Sequence, residues 1–415
     1  MICISTRGHA PAVSLKAAVL AGLAPDGGLY VPTRLPRLSE AWWQDQRGRP
    51  FQDVAVALAA EIGRDEFAPA ELEAIVRDAL NFPVPIVRLD DGLHVLELFH
   101  GPTFAFKDFG ARMLARLMAH FNRAASPLTI LVATSGDTGG AVAHAFHGVP
   151  DTRVVVLYPQ GQVSDVQEAQ FTTLGGNVTA IAVHGSFDDC QRLAKQAFAD
   201  PGIASRVRLT SANSISLGRL LPQMFYYAWA ALQFDRQPVI SVPSGNFGNL
   251  AAGVMAWKMG APIASFSAPT TINDTVPRFL ASGRVEPRAS VPTLANAMDV
   301  GNPSNLERLQ WLFDGDLTAM RQMVVSAAHS DDDVRRAIAE LHHRYGYVAD
   351  PHTAIAYLGG GAVFLATAHP AKFREVVEPV IKEAVQLPRP LAAMLEKKKV
   401  ALRITADIGE LAALL

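Results

Sequence analysis

The sequence predicts an α/β protein built from two open, twisted sheets that are covered by helices. From about residue 93 onward, short apolar runs typical of buried strands alternate with helical patterns, as in a parallel sheet. The order of strand, glycine-rich turn and helix recurs at 238–260, which indicates a second sheet of the same kind. A chain of 415 residues is also too long for one ordinary core, so two or three subdomains are expected.

The pattern divides the chain into four regions. We expect an N-terminal cap region over 1–95, a small α/β domain over 96–235, a large α/β domain over 236–388 and a peripheral tail over 389–415. Helices are predicted at 51–62 and 69–80, and a long helix kinked at Pro222 is predicted at 217–232. Buried strands are predicted at 128–135, 153–159, 177–183 and 261–269, with a mostly helical stretch over 284–345 and a return to the sheet over 346–373.

The composition is typical of a soluble α/β enzyme. Hydrophobic residues make up 49% of the chain, charged residues make up 18% and the formal net charge is −2, so nothing indicates a nucleic-acid partner. No window reaches the roughly 18 uninterrupted apolar residues of a membrane span, and the N-terminus lacks a targeting pattern. Cys3 and Cys190 have neither the number nor the spacing of a disulfide framework or a zinc site. We therefore expect a cytoplasmic protein without a metal or a membrane partner.

A single lysine, Lys107, stands out within the segment GPTFAFKDFGARML at 101–114. Aromatic residues at 99, 104, 106 and 109 flank it, and apolar residues from Phe109 onward recur at helical spacing, so Lys107 is expected just ahead of a helix. Loss of water and the positive end of the helix dipole both favour a neutral, nucleophilic amine. Lys107 is therefore a candidate Schiff-base lysine. The same residues also suit a surface lysine whose amine reaches out of an aromatic pocket.

A glycine-rich turn, PSGNFGNLAAG at 243–253, lies where a strand is predicted to end and a helix to begin. Its glycines let the backbone approach an anion closely, and free amides at the helix N-terminus would surround a phosphate. The residues that form this phosphate site are Gly245, Asn246, Phe247, Gly248 and Asn249. The turn matches neither the dinucleotide fingerprint nor the nucleotide P-loop. The alternative is a turn whose glycines only let the helix pack on its strand.

A hydroxyl-rich turn at 134–140 also connects a predicted strand to a predicted helix. Hydroxyl groups and helix N-terminal amides can together bind a carboxylate, which makes Thr134, Ser135, Asp137 and Thr138 candidate ligand-binding residues. Taken alone, the turn fits better as an ordinary helix cap, in which Asp137 or Thr138 accepts hydrogen bonds from the first helical amides.

The segment 213–219 places Arg219 about one turn into the predicted kinked helix, behind Asn213 and Ser214. An arginine in that position suits bidentate binding of a phosphate or a carboxylate. His352 and His369 each lie next to a proline in apolar surroundings, and we interpret both as structural residues.

Six motifs, read in order, resemble the threonine synthases of the enterobacterial and yeast type. They are GPTFAFKDFG, ATSGDTGG, NSI followed by an arginine, PSGNFGN, DPHTA and TAHPAKF. The opening STRG and the segment DGGLYVP are similar to the N-terminal region of that family. The resemblance extends to about residue 375. It implies the fold type II architecture of pyridoxal-phosphate enzymes, which is tryptophan synthase beta-like, with the cofactor between two α/β domains and an extra N-terminal cap.

The resemblance also implies a role for each polar segment. Lys107 matches the lysine that binds pyridoxal 5′-phosphate, the turn from Gly245 to Asn249 is similar to the cradle for the cofactor phosphate, and Thr367 matches the hydroxyl that bonds the pyridine nitrogen. The turn at 134–140 resembles the loop that receives the amino-acid substrate. Arg219, with Asn213 and Ser214, resembles the site for the substrate phosphate.

The implied reaction converts O-phospho-L-homoserine and water to L-threonine and inorganic phosphate, the last step of threonine biosynthesis, in an enzyme that is a monomer or a homodimer. Within the same fold type, two alternatives stay open: a phospho-lyase that releases a 2-oxo acid, and a serine or threonine dehydratase, which would not need Arg219. The non-enzymatic alternative is a catalytically silent binding protein of the same fold. A nicotinamide dehydrogenase is disfavoured because its glycine fingerprint is absent.

Overall fold

The computed structural model describes residues 1–123 and 126–415, and over these ranges the strands form three sheets. The N-terminal sheet is antiparallel with the order β2-β1-β3 and consists of β1 (Ile2–Ser5), β2 (Val13–Ser14) and β3 (Tyr30–Pro32). Its helices are α1 (Leu15–Ala21), α2 (Glu40–Asp45), α3 (Phe51–Gly63) and α4 (Pro69–Ala79). The last two confirm the helices predicted at 51–62 and 69–80.

The following part of the chain alternates strands and helices, as the sequence predicts. Its strands are β4 (Ile86–Asp90), β5 (Leu93–Glu97), β6 (Leu128–Ala133), β7 (Thr152–Pro159), β8 (Val178–His184) and β9 (Leu209–Ser211). Its helices are α5 (Lys107–Phe121), α6 (Asp137–Phe146), α7 (Asp165–Thr172), α8 (Phe187–Ala199), α9 (Pro201–Ala204), α10 (Leu217–Leu220) and α11 (Met224–Ala231). The kink predicted at Pro222 is confirmed, because a 3-10 turn, Leu221–Gln223, separates α10 from α11.

The remaining part of the chain contributes strands to both large sheets. Its strands are β10 (Val239–Ser241), β11 (Ser265–Ser267), β12 (Val324–Val325), β13 (Val363–Ala366) and β14 (Leu402–Thr405). Its helices are α12 (Gly248–Lys258), α13 (Thr275–Ser282), α14 (Leu306–Leu312), α15 (Leu317–Met323), α16 (Asp331–Tyr345), α17 (Pro351–Leu358), α18 (Arg374–Ile381), α19 (Arg389–Leu395) and α20 (Ile408–Leu414). Two further 3-10 turns are Asn296–Met298 and Pro370–Phe373.

A parallel sheet with the order β14-β8-β7-β6-β9 forms over the described residues. Every residue of β6 is buried, which explains why its sequence is a continuous apolar run rather than an alternating one. Strand β14 comes from the tail that the sequence placed at the periphery, yet it pairs along its whole length with β8. The carboxyl ends of β6 and β9 lead into the turn at 134–140 and the segment at 213–219.

The second large sheet has the order β12-β11-β10-β13-β5-β4 and is parallel except for β4, which runs antiparallel to β5. Strand β4 and most of β5 fall within the span that the sequence assigned to the cap region, but they pair in this sheet. The four-region division itself stays a prediction. The carboxyl ends of β5, β10 and β13 lead to Lys107, to the turn at 243–249 and to Thr367.

Both cysteines, Cys3 and Cys190, are buried free thiols. None of the helices within the described ranges has the length and apolar character that crossing a membrane requires.

Candidate active site

Lys107 is the first residue of α5, one residue before the expected helix start at Asp108. The chain reaches it through a tight turn in which Phe104 has a left-handed φ of 56° and its amide donates to the carbonyl of Gly101 at 3.0 Å. The amide of Asp108 donates to the carbonyl of Ala105 at 3.1 Å. These backbone bonds, rather than a capping side chain, hold the amine-bearing residue at the helix N-terminus.

The surroundings of Lys107 favour its neutral form. Its pKa falls from 10.5 to about 8, chiefly because burial removes water from the ammonium ion. The charges of Arg219 and Lys372 act in the same direction, and the carboxylate of Asp137 opposes them. The Nζ atom lies 5.8 Å from the centroid of the Phe106 ring. An amine with this pKa is partly neutral near pH 7 and can attack a carbonyl carbon.

The turn at 243–249 connects β10 to α12 and packs closely against the backbone at Met298. A Cβ atom at position 245 would lie 2.6 Å from the Cα atom of Met298, so only glycine fits there. Phe247 has a left-handed φ of 59°, and no side chain of the described residues caps the helix. The first helical amides are therefore left without side-chain acceptors, as an anion site requires.

Asn249 completes this turn with a buried side-chain amide. Its Oδ1 atom accepts hydrogen bonds from the hydroxyls of Tyr226 at 2.5 Å and Tyr227 at 2.6 Å. Its Nδ2 atom is buried and has no partner among the described residues. The ring of Tyr226 contacts that of Phe109 with centroids 5.0 Å apart, which connects this asparagine to α5 and Lys107.

Thr367 follows β13 directly and lies beside the lysine turn. Its carbonyl accepts a hydrogen bond from the amide of Phe106 at 2.8 Å, and an isolated bridge pairs Ala105 with Ala368. Thr367 is buried. The backbone therefore brings Thr367 next to Lys107, as the sequence comparison with the family motifs implied.

In the turn at 134–140, the hydroxyl of Thr134 caps α6. Its Oγ1 atom accepts hydrogen bonds from the amides of Gly136 at 2.9 Å and Gly139 at 2.8 Å. The expectation that Asp137 or Thr138 caps this helix is wrong, since neither forms a side-chain cap bond. The cap lies outside the helix because Gly136 has a φ of 138°, which lets the chain turn around the Thr134 hydroxyl.

Asp137 is instead engaged by side chains from other elements. Its Oδ1 atom lies 2.6 Å from Nζ of Lys372 and 3.0 Å from Nε2 of Gln167. Burial alone would raise the pKa of this carboxyl, but the Lys372 and Lys107 charges hold it well below its usual range. Ser135 and Thr138 are only partly buried. Of the four residues predicted in this turn, these two have side chains that are partly accessible, while Thr134 and Asp137 are buried.

Arg219 is a buried cation in α10. Its Nη1 atom donates to the carbonyl of Ala212 at 2.8 Å, while its Nε atom is buried and has no partner among the described residues. Burial lowers its pKa to about 10, with the Asp108 carboxylate opposing. A buried guanidinium without a paired carboxylate is suited to an anionic ligand, because an uncompensated charge is costly.

Ser214 joins this segment to the turn at 243–249. The Nδ2 atom of Asn246 donates to Oγ of Ser214 at 2.5 Å, and the Oδ1 atom of Asn246 accepts from the amide of Ser304 at 2.6 Å. Asn213 has a buried Oδ1 atom without a partner in the described residues. A Cβ atom at Gly110 would lie 2.6 Å from the carbonyl oxygen of Arg219, so this segment packs directly on α5.

Sequence reasoning missed three buried polar residues near the site. Lys372 is fully buried and lies in the TAHPAKF motif, but only Thr367 and His369 of that segment were considered from the sequence. Asp108 accepts bonds from both the amide and the hydroxyl of Thr103 at 2.8 and 2.7 Å, and burial outweighs these bonds to raise its pKa to about 6. The third residue is Arg308. For Lys372 and Asp108, the signal available in the sequence was a charged residue within an otherwise apolar motif.

Arg308 fixes the start of the Arg219 segment from behind. Its guanidinium donates to the carbonyls of Tyr30 at 2.9 Å and Ile215 at 2.6 Å and to Oδ1 of Asn305 at 2.8 Å. These contacts connect the N-terminal sheet and α14 to residues 213–216. The N-terminal region therefore contributes to the shape of the site.

The two histidines interpreted as structural are confirmed in that role. Nδ1 of His352 lies 2.6 Å from the Asp350 carboxylate, and its Nε2 atom accepts from the amide of Ala297 at 3.2 Å. His369 accepts from the amide of Ala371 at 3.1 Å, and burial lowers its pKa to about 4. Both ring nitrogens of His352 therefore have partners within the fold, and His369 accepts one bond through Nδ1.

The arrangement combines an amine of lowered pKa with two anion sites. One lies at the turn of 243–249, the other at Arg219, and the contact between Asn246 and Ser214 joins them. Such a site can bind a phosphate-bearing carbonyl compound through the lysine and a second phosphorylated or carboxylated molecule beside it.

Comparisons with known proteins agree along the whole chain. Family models match for threonine synthase N terminus at residues 3–80, for pyridoxal-phosphate dependent enzymes at 81–377 and for the threonine synthase C-terminal region at 354–414. Threonine synthase from Serratia marcescens is 43% identical over 98% of this chain and 96% of its own.

Two solved structures have the same fold. The crystal structure of threonine synthase from Escherichia coli covers 100% of this chain and 99% of its own, with 41% identity and a TM-score of 0.94. The structure of threonine synthase with bound PLP from Brucella melitensis covers 100% of this chain and 98% of its own, with 36% identity and a TM-score of 0.94.

Proposed function

The chain belongs to the threonine synthase family of pyridoxal-phosphate-dependent enzymes, and we propose on this basis that it converts O-phospho-L-homoserine and water to L-threonine and inorganic phosphate. The fold is the fold type II architecture that the sequence predicts. The observation that supports this function best is the pair of anion sites beside one amine of lowered pKa. A simple dehydratase needs only one of these sites, so the buried guanidinium of Arg219, whose Nε atom has no partner among the described residues, favours a phosphorylated substrate.

The residues present fit pyridoxal 5′-phosphate. The turn at 243–249 has helix N-terminal amides without side-chain acceptors and the Nδ2 atom of Asn249 without a partner among the described residues, which together suit a dianionic phosphate. The Lys107 amine would hold the cofactor's aldehyde carbon, and the Thr367 hydroxyl would face the ring nitrogen. A hydroxyl partner, unlike a carboxylate, would leave that nitrogen unprotonated.

When bound, the cofactor supplies a conjugated ring that takes up the electron pair left on a substrate carbon after proton removal. Lys107 would perform the proton transfers. Its lowered pKa matches a general base working near neutral pH, which would remove the proton from the substrate carbon Cα and, most simply, from Cβ as well. The same amine can return protons after the phosphate has left and water has added at Cβ.

The substrate phosphate would bind at Arg219, with Asn213 and Ser214. The guanidinium stabilises the negative charge that develops as the Cγ–O bond breaks, and its burial strengthens that interaction. Arg308 holds residues 213–216 in place through the carbonyl of Ile215. The leaving phosphate thus departs into a site built in advance for a dianion.

The amino-acid end of the substrate would bind at the turn of 134–140. The hydroxyls of Ser135 and Thr138 lie at its accessible side and would donate to the carboxylate. Thr134 and Asp137 contribute by holding the turn, through the cap of α6 and through the Lys372 pair. We further propose a cytoplasmic enzyme that acts as a monomer or a homodimer.

Product analysis tests the proposal. Purified protein with pyridoxal phosphate is incubated with O-phospho-L-homoserine, and threonine, inorganic phosphate and 2-oxobutyrate are quantified. Equal amounts of threonine and phosphate are expected. Phosphate accompanied by 2-oxobutyrate would identify a phospho-lyase instead. Turnover of L-serine in a parallel incubation, without release of threonine or phosphate from O-phospho-L-homoserine, would identify a dehydratase.

A further inference from the structure

A fully buried lysine, Lys372, lies in the 3-10 turn after Thr367 and takes no part in the proton transfers or the phosphate binding described above. Its Nζ atom is 2.6 Å from Oδ1 of Asp137, and the side chains are 0% and 4% exposed. Pairs so far from water are retained only where both charges are well compensated. Nothing in the helix cap requires this carboxylate, because Thr134 already performs that role.

The pair connects two segments of the site. Besides Asp137, the Lys372 ammonium donates to the carbonyl of Thr103 at 3.0 Å, and the same carbonyl accepts from Nε2 of Gln170 at 2.8 Å. The amide and hydroxyl of Thr103 donate in turn to Asp108, the residue after Lys107. Lys372 therefore holds the turn at 134–140 against the turn that presents the Lys107 amine.

Charge balance in the turn at 134–140 explains why Lys372 pairs with Asp137. The turn at 134–140 is proposed to receive the carboxylate of an amino acid, yet Asp137 places a negative charge inside it. Two like charges at short range repel strongly where water is excluded. An ammonium ion bonded to Asp137 cancels this charge, so the amides and hydroxyls of the turn meet the ligand without an opposing field.

We propose that Lys372 is a positioning residue that neutralises Asp137 and thereby allows the turn at 134–140 to bind the substrate carboxylate. This inference rests on the proposed function. It assigns to Lys372 no contact with the substrate, only the electrostatic preparation of the turn and its alignment with Lys107.

A charge-balance cycle tests this role with Lys372→Met, Asp137→Asn, the double variant and the charge-retaining Lys372→Arg, with the exposed Lys195→Met as control. Lys372→Met is expected to raise the KM for O-phospho-L-homoserine about ten- to a hundredfold, the effect of one uncompensated charge roughly 6 to 12 Å from the ligand in a medium of effective dielectric constant about 20. Inhibition by inorganic phosphate, which binds at Arg219, is expected to be unchanged. The double variant is expected to recover most of the lost affinity, because the turn is neutral again.

Thermal unfolding of the same proteins gives a second readout that does not depend on turnover. Each single variant leaves one buried charge alone and is expected to unfold at a lower temperature than the double variant. An unchanged KM in Lys372→Met, or a KM in the double variant as high as in Lys372→Met, would overturn the proposal. If Lys372→Met fails to fold, the KM of the double variant is compared with that of the wild type. A KM near the wild-type value supports the proposal, and a KM raised about ten- to a hundredfold overturns it. Wild-type protein that releases no threonine would refute the proposed function, while the unfolding cycle would still report on the pair.

Discussion

Replacing Lys107 by methionine is expected to stabilise the cofactor-free protein in a pH-dependent manner. The lysine pKa falls from 10.5 to about 8 on folding, because burial penalises the ammonium ion. At about 1.4 kcal/mol per pH unit, this fall corresponds to about 3 kcal/mol. Since the folded-state pKa is depressed, the unfolded chain binds more protons between pH 8 and 10.5. The free-energy cost of burying the ammonium ion is therefore full below about pH 8, decreases as the pH rises and is absent above pH 10.5.

The assay is urea unfolding of cofactor-free wild type and Lys107→Met at several pH values from 7 to 11, with the difference in unfolding free energy as the measured quantity. Methionine also contributes apolar packing, but that gain is the same at every pH, so only the pH-dependent part carries the test. Lys195→Met supplies the control, because it removes a lysine charge from an exposed site. A difference that stays constant across this pH range would refute the buried-amine argument.

Three further substitutions test other parts of the site. Arg219→Met is expected to raise the KM for O-phospho-L-homoserine roughly ten- to a hundredfold, because one or two charged hydrogen bonds to phosphate are lost. The cofactor is expected to stay bound to this variant, which equilibrium dialysis of the cofactor checks. Arg308→Met is expected to lower the unfolding free energy by about 3 kcal/mol or more, because it strands the carbonyls of Tyr30 and Ile215; the exposed Arg335→Met serves as control in urea unfolding. Tyr226→Phe is expected to cost about 1 kcal/mol and to weaken cofactor retention, since it removes one donor from Asn249, with Tyr227→Phe as the matched comparison.

The sequence was most informative where local pattern decides the structure. Strand β6 reads as a continuous apolar run because it is buried on both faces, and the break at Pro222 follows from the missing amide and fixed φ of proline. Glycine at 245 was recognisable because close approach to a ligand or to backbone permits no side chain. The start of α5 was misplaced by one residue, since a backbone turn rather than a capping side chain sets it.

Contacts between distant parts of the chain could not be deduced in the same way. Asp137 looked like a cap or a ligand, and only the fold reveals that Lys372 occupies its carboxylate. Strand β14 lies at the edge of its sheet, in agreement with the predicted peripheral tail, but nothing in its four residues indicates that its partner is β8. Arg308 could not be identified from the sequence, because it is one charged residue in a stretch predicted to be mostly helical. In the fold it joins the N-terminal sheet to the Arg219 segment.

The identity of the cofactor-bearing lysine is the most direct test of the whole account. The protein is loaded with pyridoxal phosphate, reduced with borohydride to fix the lysine linkage, digested and mapped by mass spectrometry. We predict a pyridoxyl-phosphate adduct on the peptide that contains Lys107, and none in Lys107→Ala. An adduct on Lys372, a fully buried lysine of the site, or an adduct that persists in Lys107→Ala, would contradict the account.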